Sequence, residues 1–582
     1  MGELASVRRI SPGLLSAGLG NVPVEQTYLD ITQGNRVFDS LYSAQLPKSG
    51  AGGPCGAWWR AVMERAESAP AEIVPGLLAS TLEAAGVGVV KGSGASCAFF
   101  PPPARIQVPA KRLIGASAPH PRGSFEVRGA LLRQLPALVS RLRGNDLLIA
   151  IERPPPANDR ELAIGIAGRG FDGNLTSAST RTNGYVLSTD IAPTVLQQLG
   201  VGIPSPVSGQ PIRSEGSVDP GEVASLGNRM AVISGRRGPV IGGGLLAWLL
   251  ALGVAVVVTQ GRLARPGVRL LGLSVVYLPL ALLAAAAFEP SQGAEQAIAI
   301  LGVPLLAALT LAALGGYRAL AVASAATVLA YTADVIVGSP LTAISLLGPN
   351  PGLGVRFYGI GNELEALLVV LVIGGTGAGL AGFAPRLSPR GCAIAFLAIG
   401  MSFAAIFAVG QFGADVGAAV DFPAGAAVAA AVIAGGRRRP LLLVLAAPFI
   451  ALALLALADL LSGANAHLTR SVLDASGSHQ LADVAQSRLE LTVRSFVRPI
   501  VLVFLPLILL VVAFAVWRRE RLGAWLRDCP AMRAGLVGGV TAVVVGALAN
   551  DSGALMLEIG GAYLLVFAGY VWADGLGPVR PG

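Results

Sequence analysis

Charged residues are scarce in this chain. Asp, Glu, Lys and Arg make up 13% of its 582 residues, against about 25% in soluble domains. Lysine is nearly absent, so most of the formal charge of +9 comes from arginine. A nucleic-acid-binding face would carry basic residues interleaved with aromatic ones, and we find no such pattern. With 53% hydrophobic residues, the composition indicates a membrane protein and gives no support for a nucleic-acid partner.

Long apolar runs occupy the second half of the chain. A helix needs roughly 20 mostly apolar residues to cross the hydrocarbon of a bilayer. The predicted spans lie at about 240–259, 270–288, 297–315, 319–337, 364–383, 392–410, 418–435, 440–458, 499–517, 534–550 and 555–572. We therefore expect a separate domain at residues 1–230, followed by an all-α polytopic membrane domain of about 11 helices at 238–575.

Arginine distribution predicts the topology of these spans. Arginines follow the first, third, fifth, seventh and ninth spans, whereas the alternate connections are mostly acidic or neutral. The first residues of these arginine groups are Arg262, Arg318, Arg386, Arg437 and Arg518. The positive-inside rule then places the N-terminal domain outside and the C-terminus in the cytoplasm of a multi-pass cell-membrane protein.

The first residues of the sequence do not have the pattern expected of a signal peptide. The opening MGELASVRRISPG lacks the continuous apolar core of about 7–15 residues that a signal requires. Either the N-terminus stays inside and the charge rule misleads, or an additional span precedes Met1. We expect the second, which would bring the total to twelve spans.

Cysteine is also scarce, with four residues and neither CxxC nor CxxH spacing, which disfavours a zinc site. Cys55 and Cys97 both lie in the domain expected outside the cell, where a disulfide can persist. These two residues are the candidate disulfide. The alternative is that all four cysteines are buried thiols.

The N-terminal domain has the pattern of an α/β fold. Residues Asp146–Glu152 and Glu161–Ala167 are continuous apolar runs of strand length, as in buried parallel strands. Helical patterns precede them at about 76–86 and 129–143. A third segment, Gly184–Gly200, reads GYVLSTDIAPTVLQQLG and is followed by the loop Gly209–Ile212. Thr189 or Asp190 is expected to cap the helix in this segment.

Residues Asn145–Ile212 resemble the C-terminal part of alkaline phosphatase superfamily folds, as in sulfatases and phosphodiesterases. The resemblance implies a fold whose enzymes hold two metals with Asp and His and attack through Ser or Thr. Here the first strand ends in Glu152-Arg153-Pro154 instead of an Asp-His pair, and His120 is the only histidine of the domain. The remaining carboxylates are scattered: Asp159, Asp172 and Asp190. We therefore expect a partial, N-terminally incomplete and non-catalytic domain that could bind a glycan or a lipid headgroup, or position a partner.

Polar residues in or beside the predicted spans are functional candidates, because they are costly in a bilayer. The segment Gly348–Glu365 has five glycines and two prolines before a charged helix start, which suggests a re-entrant loop. Residues Arg356–Glu363 and Asn550–Gly553 resemble motifs of a family of uncharacterised polytopic bacterial membrane proteins, a resemblance that implies no activity. The catalytic candidates are Asp334, Arg356, Glu363, Asp415 and Asp551.

Arginine and carboxylate side chains on the outer side suit a phosphate-bearing ligand. Arginine forks match phosphate oxygens, and carboxylates can hold a divalent metal such as Mg²⁺ or act as a base. Acidic residues at helix ends are also ordinary solvated caps. An amphipathic helix is expected at about 481–497 on the outer surface.

These features favour an integral membrane protein of the bacterial cell envelope that processes a lipid-linked or phosphate-bearing substrate at the outer membrane face. One alternative is a transporter or flippase with Asp334 and Glu558 as intramembrane sites, although we find no internal repeat of the kind many transporters contain. Another is a non-catalytic scaffold with a degenerate phosphatase-like domain.

Overall fold

Two units make up the chain. The computed structural model describes residues 7, 9–46, 55–91, 96–99, 113–114, 123–155, 161–410, 412–435, 526, 529–550 and 552–574. The N-terminal unit consists of Met1–Val232 and Asn350–Phe357, and the membrane unit of Ile233–Pro349 and Tyr358–Gly582. The segment Asn350–Phe357 therefore belongs to the N-terminal unit, although the sequence analysis includes it in the membrane domain.

A four-stranded sheet forms the centre of the N-terminal unit, in the order β5-β6-β1-β8. Its strands are β1 (Ser11–Ser16), β5 (Leu147–Ile151), β6 (Leu162–Gly168) and β8 (Tyr185–Leu187). All six residues of β1 are buried, and it pairs with β6 antiparallel and with β8 parallel. Leu15, Leu162, Ile164, Ile166 and Val186 from these strands are fully buried in one core.

The expectation that the two predicted strands are parallel is wrong. Strands β5 and β6 pair antiparallel, with Ile149 opposite Ile166. The connection between them runs only from residue 152 to residue 161. A parallel pair needs a crossover of a dozen or more residues, whereas an antiparallel pair can be joined by a short loop. A continuous apolar run indicates that both faces of a strand are buried, but it does not indicate whether the strand pairs parallel or antiparallel.

Short strands and helices surround the central sheet. The strand pairs are β2 (Gly88–Lys91) with β4 (Ser124–Val127), β3 (Leu113–Ile114) with β9 (Ile203–Pro204), and β7 (Asn174–Ser177) with β10 (Ile212–Glu215). The helices are α1 (Val24–Gln33), α2 (Cys55–Glu67), α3 (Leu77–Ala84), α4 (Leu135–Ser140) and α5 (Ile191–Gln198). The helix expected at 129–143 is confined largely to α4, where Pro136 occupies the first turn and favours a helix start there. A disulfide joins Cys55 and Cys97, the pair named from the sequence.

Eight described helices are long and apolar enough to cross a membrane, and they fit an integral, multi-pass membrane protein. They are α6 (Pro220–Val258), α7 (Ala264–Ala286), α8 (Gln292–Ala313), α9 (Gly316–Ile336), α11 (Asn362–Phe383), α12 (Pro389–Ala408), α14 (Pro530–Ala549) and α15 (Gly553–Ala573). Helix α10 (Pro340–Ile344) is one short turn, and α13 (Ala418–Ile433) is a shorter apolar helix at the seventh predicted span. The predicted spans at 440–458 and 499–517 and the amphipathic helix at 481–497 lie outside the described residues. The total of about 11 helices therefore stays a prediction.

Small residues allow the central membrane helices to pack closely. A Cβ atom added to Gly535 on α14 would lie 3.1 Å from the carbonyl oxygen of Ile373 and 3.2 Å from the Cα of Gly377, both on α11. The two backbones thus approach more closely than larger side chains permit, as is common in membrane bundles. This packing fixes α11 and α14, which carry residues of the candidate site.

Candidate functional site

Asp334 has a local structural role in the membrane unit. Its carboxylate accepts hydrogen bonds from the backbone N–H groups of Leu341 (3.0 Å) and Thr342 (2.7 Å). These groups belong to α10, whose N-terminal N–H donors have no partner within the helix. Asp334 therefore holds the turn after α9, and its 6% exposure reflects that contact.

Glu363, the second candidate, forms an ion pair within the membrane unit. Its carboxylate lies 3.4 Å from Nη1 of Arg237, and the Glu363 side chain is 39% exposed. The Arg237 guanidinium also donates to the carbonyl oxygen of Gly348. The pair links α6 to the first turn of α11 and is only partly removed from solvent.

Asp415 lies in a cluster of buried polar side chains, here called the carboxyl cluster: Glu365, Asp415, Asp421 and Asn550. Their exposed fractions are 0%, 3%, 0% and 7%. They come from the first turn of α11, the loop before α13, the first turn of α13 and the C-terminus of α14. Asp551, the next residue after Asn550, lies outside the described residues, and Arg356 belongs to the segment grouped with the N-terminal unit.

Hydrogen bonds and close contacts hold the carboxyl cluster together. The Asn550 amide donates to Oε2 of Glu365 at 2.5 Å, and Asp415 accepts from the Gly417 N–H at 3.2 Å. A Cβ atom on Gly417 would overlap Oε1 of Glu365. The glycine at this position therefore makes room for the Glu365 carboxyl.

Asp421 is the least satisfied member of the cluster. Its charge interacts with Asp415, and its carboxyl also faces the Glu365 side chain. The Phe422 N–H and the Glu365 side chain lie near its carboxyl, but no hydrogen bond of good geometry from the described residues reaches either buried oxygen. A buried polar group without a partner costs about 1–3 kcal/mol when neutral and more when charged. The position of Asp421 thus requires a functional or chemical explanation.

The cluster does not have the geometry of a metal centre. Within the described ranges, no group of three or more His, Cys, Asp or Glu side chains is arranged to hold a metal ion. Neighbouring carboxyl groups in low-dielectric surroundings repel when both are ionised, and they commonly share a proton. The arrangement is therefore suited to binding and releasing protons.

In the N-terminal unit, Asp190 is a buried anchor. Its carboxylate accepts four hydrogen bonds, from the hydroxyls of Ser177 and Ser179 (both 2.6 Å) and from the N–H groups of Leu187 (3.0 Å) and Gln210 (2.8 Å). Asp190 occupies the position before α5, as expected, but its side chain makes no capping bond to that helix. Burial raises the pKa of Asp190, and the four donors oppose this effect. The carboxylate joins the end of β7, the end of β8 and the loop at Gln210.

The other carboxylates of the N-terminal unit do not gather around Asp190 in the described part of the chain. Asp172 is exposed and interacts with the Ser214 hydroxyl at 3.3 Å. Glu152 accepts from the N–H of Ala163 on β6 at 3.0 Å. Asp159 and His120 lie outside the described residues.

Glu365, Asp421 and Asn550 are not among the candidates predicted from the sequence, although the sequence contains a signal for two of them. Glu365 and Asp421 both fall inside predicted spans, at 364–383 and 418–435. Carboxylates within a span are functional candidates by default. Their convergence depends on helix packing, which no local pattern predicts.

Comparison of the chain with protein-family models, curated proteins and solved structures gives no match.

Proposed function

We propose that the membrane unit translocates protons and that the carboxyl cluster is its proton-binding site. The observation that carries this proposal is Asp421, which is fully buried, receives no hydrogen bond of good geometry from the described residues and interacts with Asp415 and Glu365. This develops the transporter alternative, with the proton site at the cluster instead of Asp334.

Electrostatics supports a shared proton. Two unit charges about 4 Å apart repel by about 4 kcal/mol at an effective dielectric constant of about 20. Protonation of one carboxyl removes this repulsion and supplies an O–H donor to a neighbouring oxygen. Loss of the proton on one side of the membrane and uptake on the other would be translocation. Under this proposal a proton passes from one carboxyl of the cluster to the next, and the cluster is a relay.

A second proposal keeps the envelope role. Asp415 was chosen from the sequence as a catalytic candidate, and it lies in the carboxyl cluster with 3% exposure. A protonated carboxyl beside an ionised one can serve as general acid and general base. Under this proposal the protein processes a lipid-linked or phosphate-bearing envelope substrate, and the N-terminal unit is a degenerate alkaline-phosphatase-like domain that binds or positions it.

Placement of the N-terminal unit outside the cell is also a proposal. The arginine-rich connections support it through the positive-inside rule. The Cys55–Cys97 disulfide supports it as well, because disulfides persist in oxidising compartments. Protease added to intact spheroplasts should then cleave the N-terminal unit, whereas cleavage only after lysis would place the unit inside.

Proton flux into proteoliposomes tests the translocation proposal. The full chain is reconstituted with a pH-sensitive dye inside, and a potassium gradient with valinomycin imposes an inside-negative potential. We expect proton entry with the wild type, and a loss of at least about tenfold with Asp421→Asn or Glu365→Gln.

Thr376→Val provides the matched control. Thr376 lies on α11 with Glu365, and its hydroxyl only bonds back to the carbonyl of Val372 at 2.7 Å, so flux should persist. Equal flux in wild type and Asp421→Asn, or no flux above empty vesicles, would contradict translocation. Loss of envelope-substrate turnover in Asp415→Asn without any proton flux would favour the second proposal.

A further inference from the structure

The segment Asn350–Phe357, here called the strap, is bound by side chains of the N-terminal unit. Nη2 of Arg36 donates to the carbonyl oxygen of Gly354 at 2.7 Å. The Arg36 guanidinium also lies over the Phe357 ring, 5.7 Å from its centroid. The ring of Tyr185 lies 5.6 Å from the ring of Phe357. The end of the strap is thus fixed by one charge-assisted hydrogen bond and two ring contacts.

Two further hydrogen bonds bind the middle of the strap. The Tyr185 hydroxyl donates to the carbonyl of Pro351 at 3.2 Å, and the N–H of Gly20 donates to the carbonyl of Leu353 at 3.0 Å. The donors therefore recognise the strap through its main-chain carbonyls. Binding of this kind depends on strap backbone conformation more than on its side chains.

Gly354 gives the strap the backbone conformation it needs. Its φ is +73°, in the left-handed region that favours glycine. A Cβ atom at Gly354 would overlap the carbonyl oxygen of Gly18 and lie 3.0 Å from Oγ of Ser16. A substitution at Gly354 should therefore release the strap, and within the central sheet it would meet only the Ser16 side chain at the end of β1.

The chain that follows the strap connects to the loop bearing Asp415. The N–H of Ile360 donates to the carbonyl of Gly413 at 3.0 Å, and the N–H of Gly359 donates to the Ser339 hydroxyl at 2.8 Å. Gly413 precedes Asp415 by two residues, and α11 with Glu365 begins directly after this stretch. Movement of residues after the strap would therefore reach two members of the carboxyl cluster.

We propose that the strap is a brake on the carboxyl cluster. The bound strap coincides with a closed cluster, in which Glu365 and Asp421 are both 0% exposed. Release of the strap removes the anchor next to residues 358–361, so that their hydrogen bonds to Ser339 and Gly413 open more often, and it favours an open cluster that exchanges protons faster. This inference rests on the proposed proton translocation.

Gly354→Ala in the full chain, reconstituted in nanodiscs and in proteoliposomes, tests the brake. The rate of hydrogen exchange should rise in residues 350–357, and proton flux should rise roughly fivefold. A roughly fivefold change is the shift in the equilibrium between bound and released strap that the loss of one hydrogen bond produces. Val355→Ala is the control, because the Val355 side chain is 52% exposed on the same strap. Tyr185→Phe, which removes the hydroxyl that bonds to Pro351 and interacts with Ser16 but keeps the ring, is the milder second variant and should raise both signals less.

The outcomes separate the brake from the translocation on which it rests. Faster exchange together with faster flux in Gly354→Ala or Tyr185→Phe supports the brake. Faster exchange with unchanged or lower flux overturns it and leaves translocation intact. Unchanged exchange in both variants overturns the binding role given to the strap carbonyls. Absence of flux in the wild type removes both proposals, whatever the exchange shows.

Discussion

Replacement of Asp190 tests whether this residue is an anchor or part of a catalytic site. Asp190→Ala leaves the buried N–H group of Leu187 and the partly buried N–H group of Gln210 without their acceptor. Each such group costs about 1–3 kcal/mol, so the N-terminal unit should lose about 2–6 kcal/mol of stability. The hydroxyls of Ser177 and Ser179 can rotate toward other acceptors and add less.

Asp190→Asn should cost less than Asp190→Ala. The amide oxygen still accepts on one side, while the amide NH₂ faces donors on the other, so about one N–H loses its partner. The expected cost is about 1–3 kcal/mol. Asp172→Ala is the control, because Asp172 is exposed and interacts with Ser214, and such surface changes usually stay within about 0.5 kcal/mol.

Hydrogen exchange with mass spectrometry on the full chain measures these effects locally. Peptides covering residues 174–190 and 209–215 should exchange faster in Asp190→Ala, less so in Asp190→Asn, and as in the wild type in Asp172→Ala. A metal chelator should not change exchange in the wild type. Unaltered exchange in Asp190→Ala, or a chelator effect that disappears with Asp190, would refute the anchor.

Three further predictions follow from buried groups of both units. Burial raises the pKa of Asp30 from 3.8 to about 7, so the carboxyl ionises less readily in the folded state than in the unfolded state. The free energy of unfolding of the N-terminal unit should therefore fall by up to roughly 4 kcal/mol as the pH rises from about 4 to about 7. Pulse proteolysis measures this dependence on pH, which Asp30→Asn should abolish. The Cys55–Cys97 disulfide joins residues 42 positions apart, and its reduction should lower the free energy of unfolding by about 2–4 kcal/mol. Urea unfolding curves measured with and without reductant give this difference. Gly417→Ala should displace the Glu365 carboxyl. It should therefore reduce proton flux at least about tenfold, the same effect that we expect for Glu365→Gln.

Long apolar elements could be predicted from the sequence because their signal is local. Helix α11, which carries Glu365 and Thr376, and the strands at 147–151 and 162–168 follow from length and hydrophobicity alone. Strand β1 could not be predicted in this way, since Pro12 and Gly13 interrupt its apolar run. Its place at the centre of the sheet depends on pairing with two distant strands.

The candidate site was harder to predict, because its residues meet through long-range packing. Asn550 and Glu365 are 185 positions apart, and Arg36 and Gly354 are 318 apart. Asp334 looked functional as a carboxylate near a span, yet it satisfies two N–H groups of the next turn. Sequence shows which residues are costly in a membrane; only the packing distinguishes a satisfied carboxylate from one without a partner.

Infrared difference spectroscopy of the reconstituted full chain tests most directly whether the carboxyl cluster binds an exchangeable proton. At neutral pH we expect a C=O stretching band from a buried protonated carboxyl, and this band should shift in D₂O. The band should change in Glu365→Gln, disappear in Asp421→Asn and persist in Thr376→Val. A spectrum with no such band, or with a band that is identical in the wild type and Asp421→Asn, would contradict it.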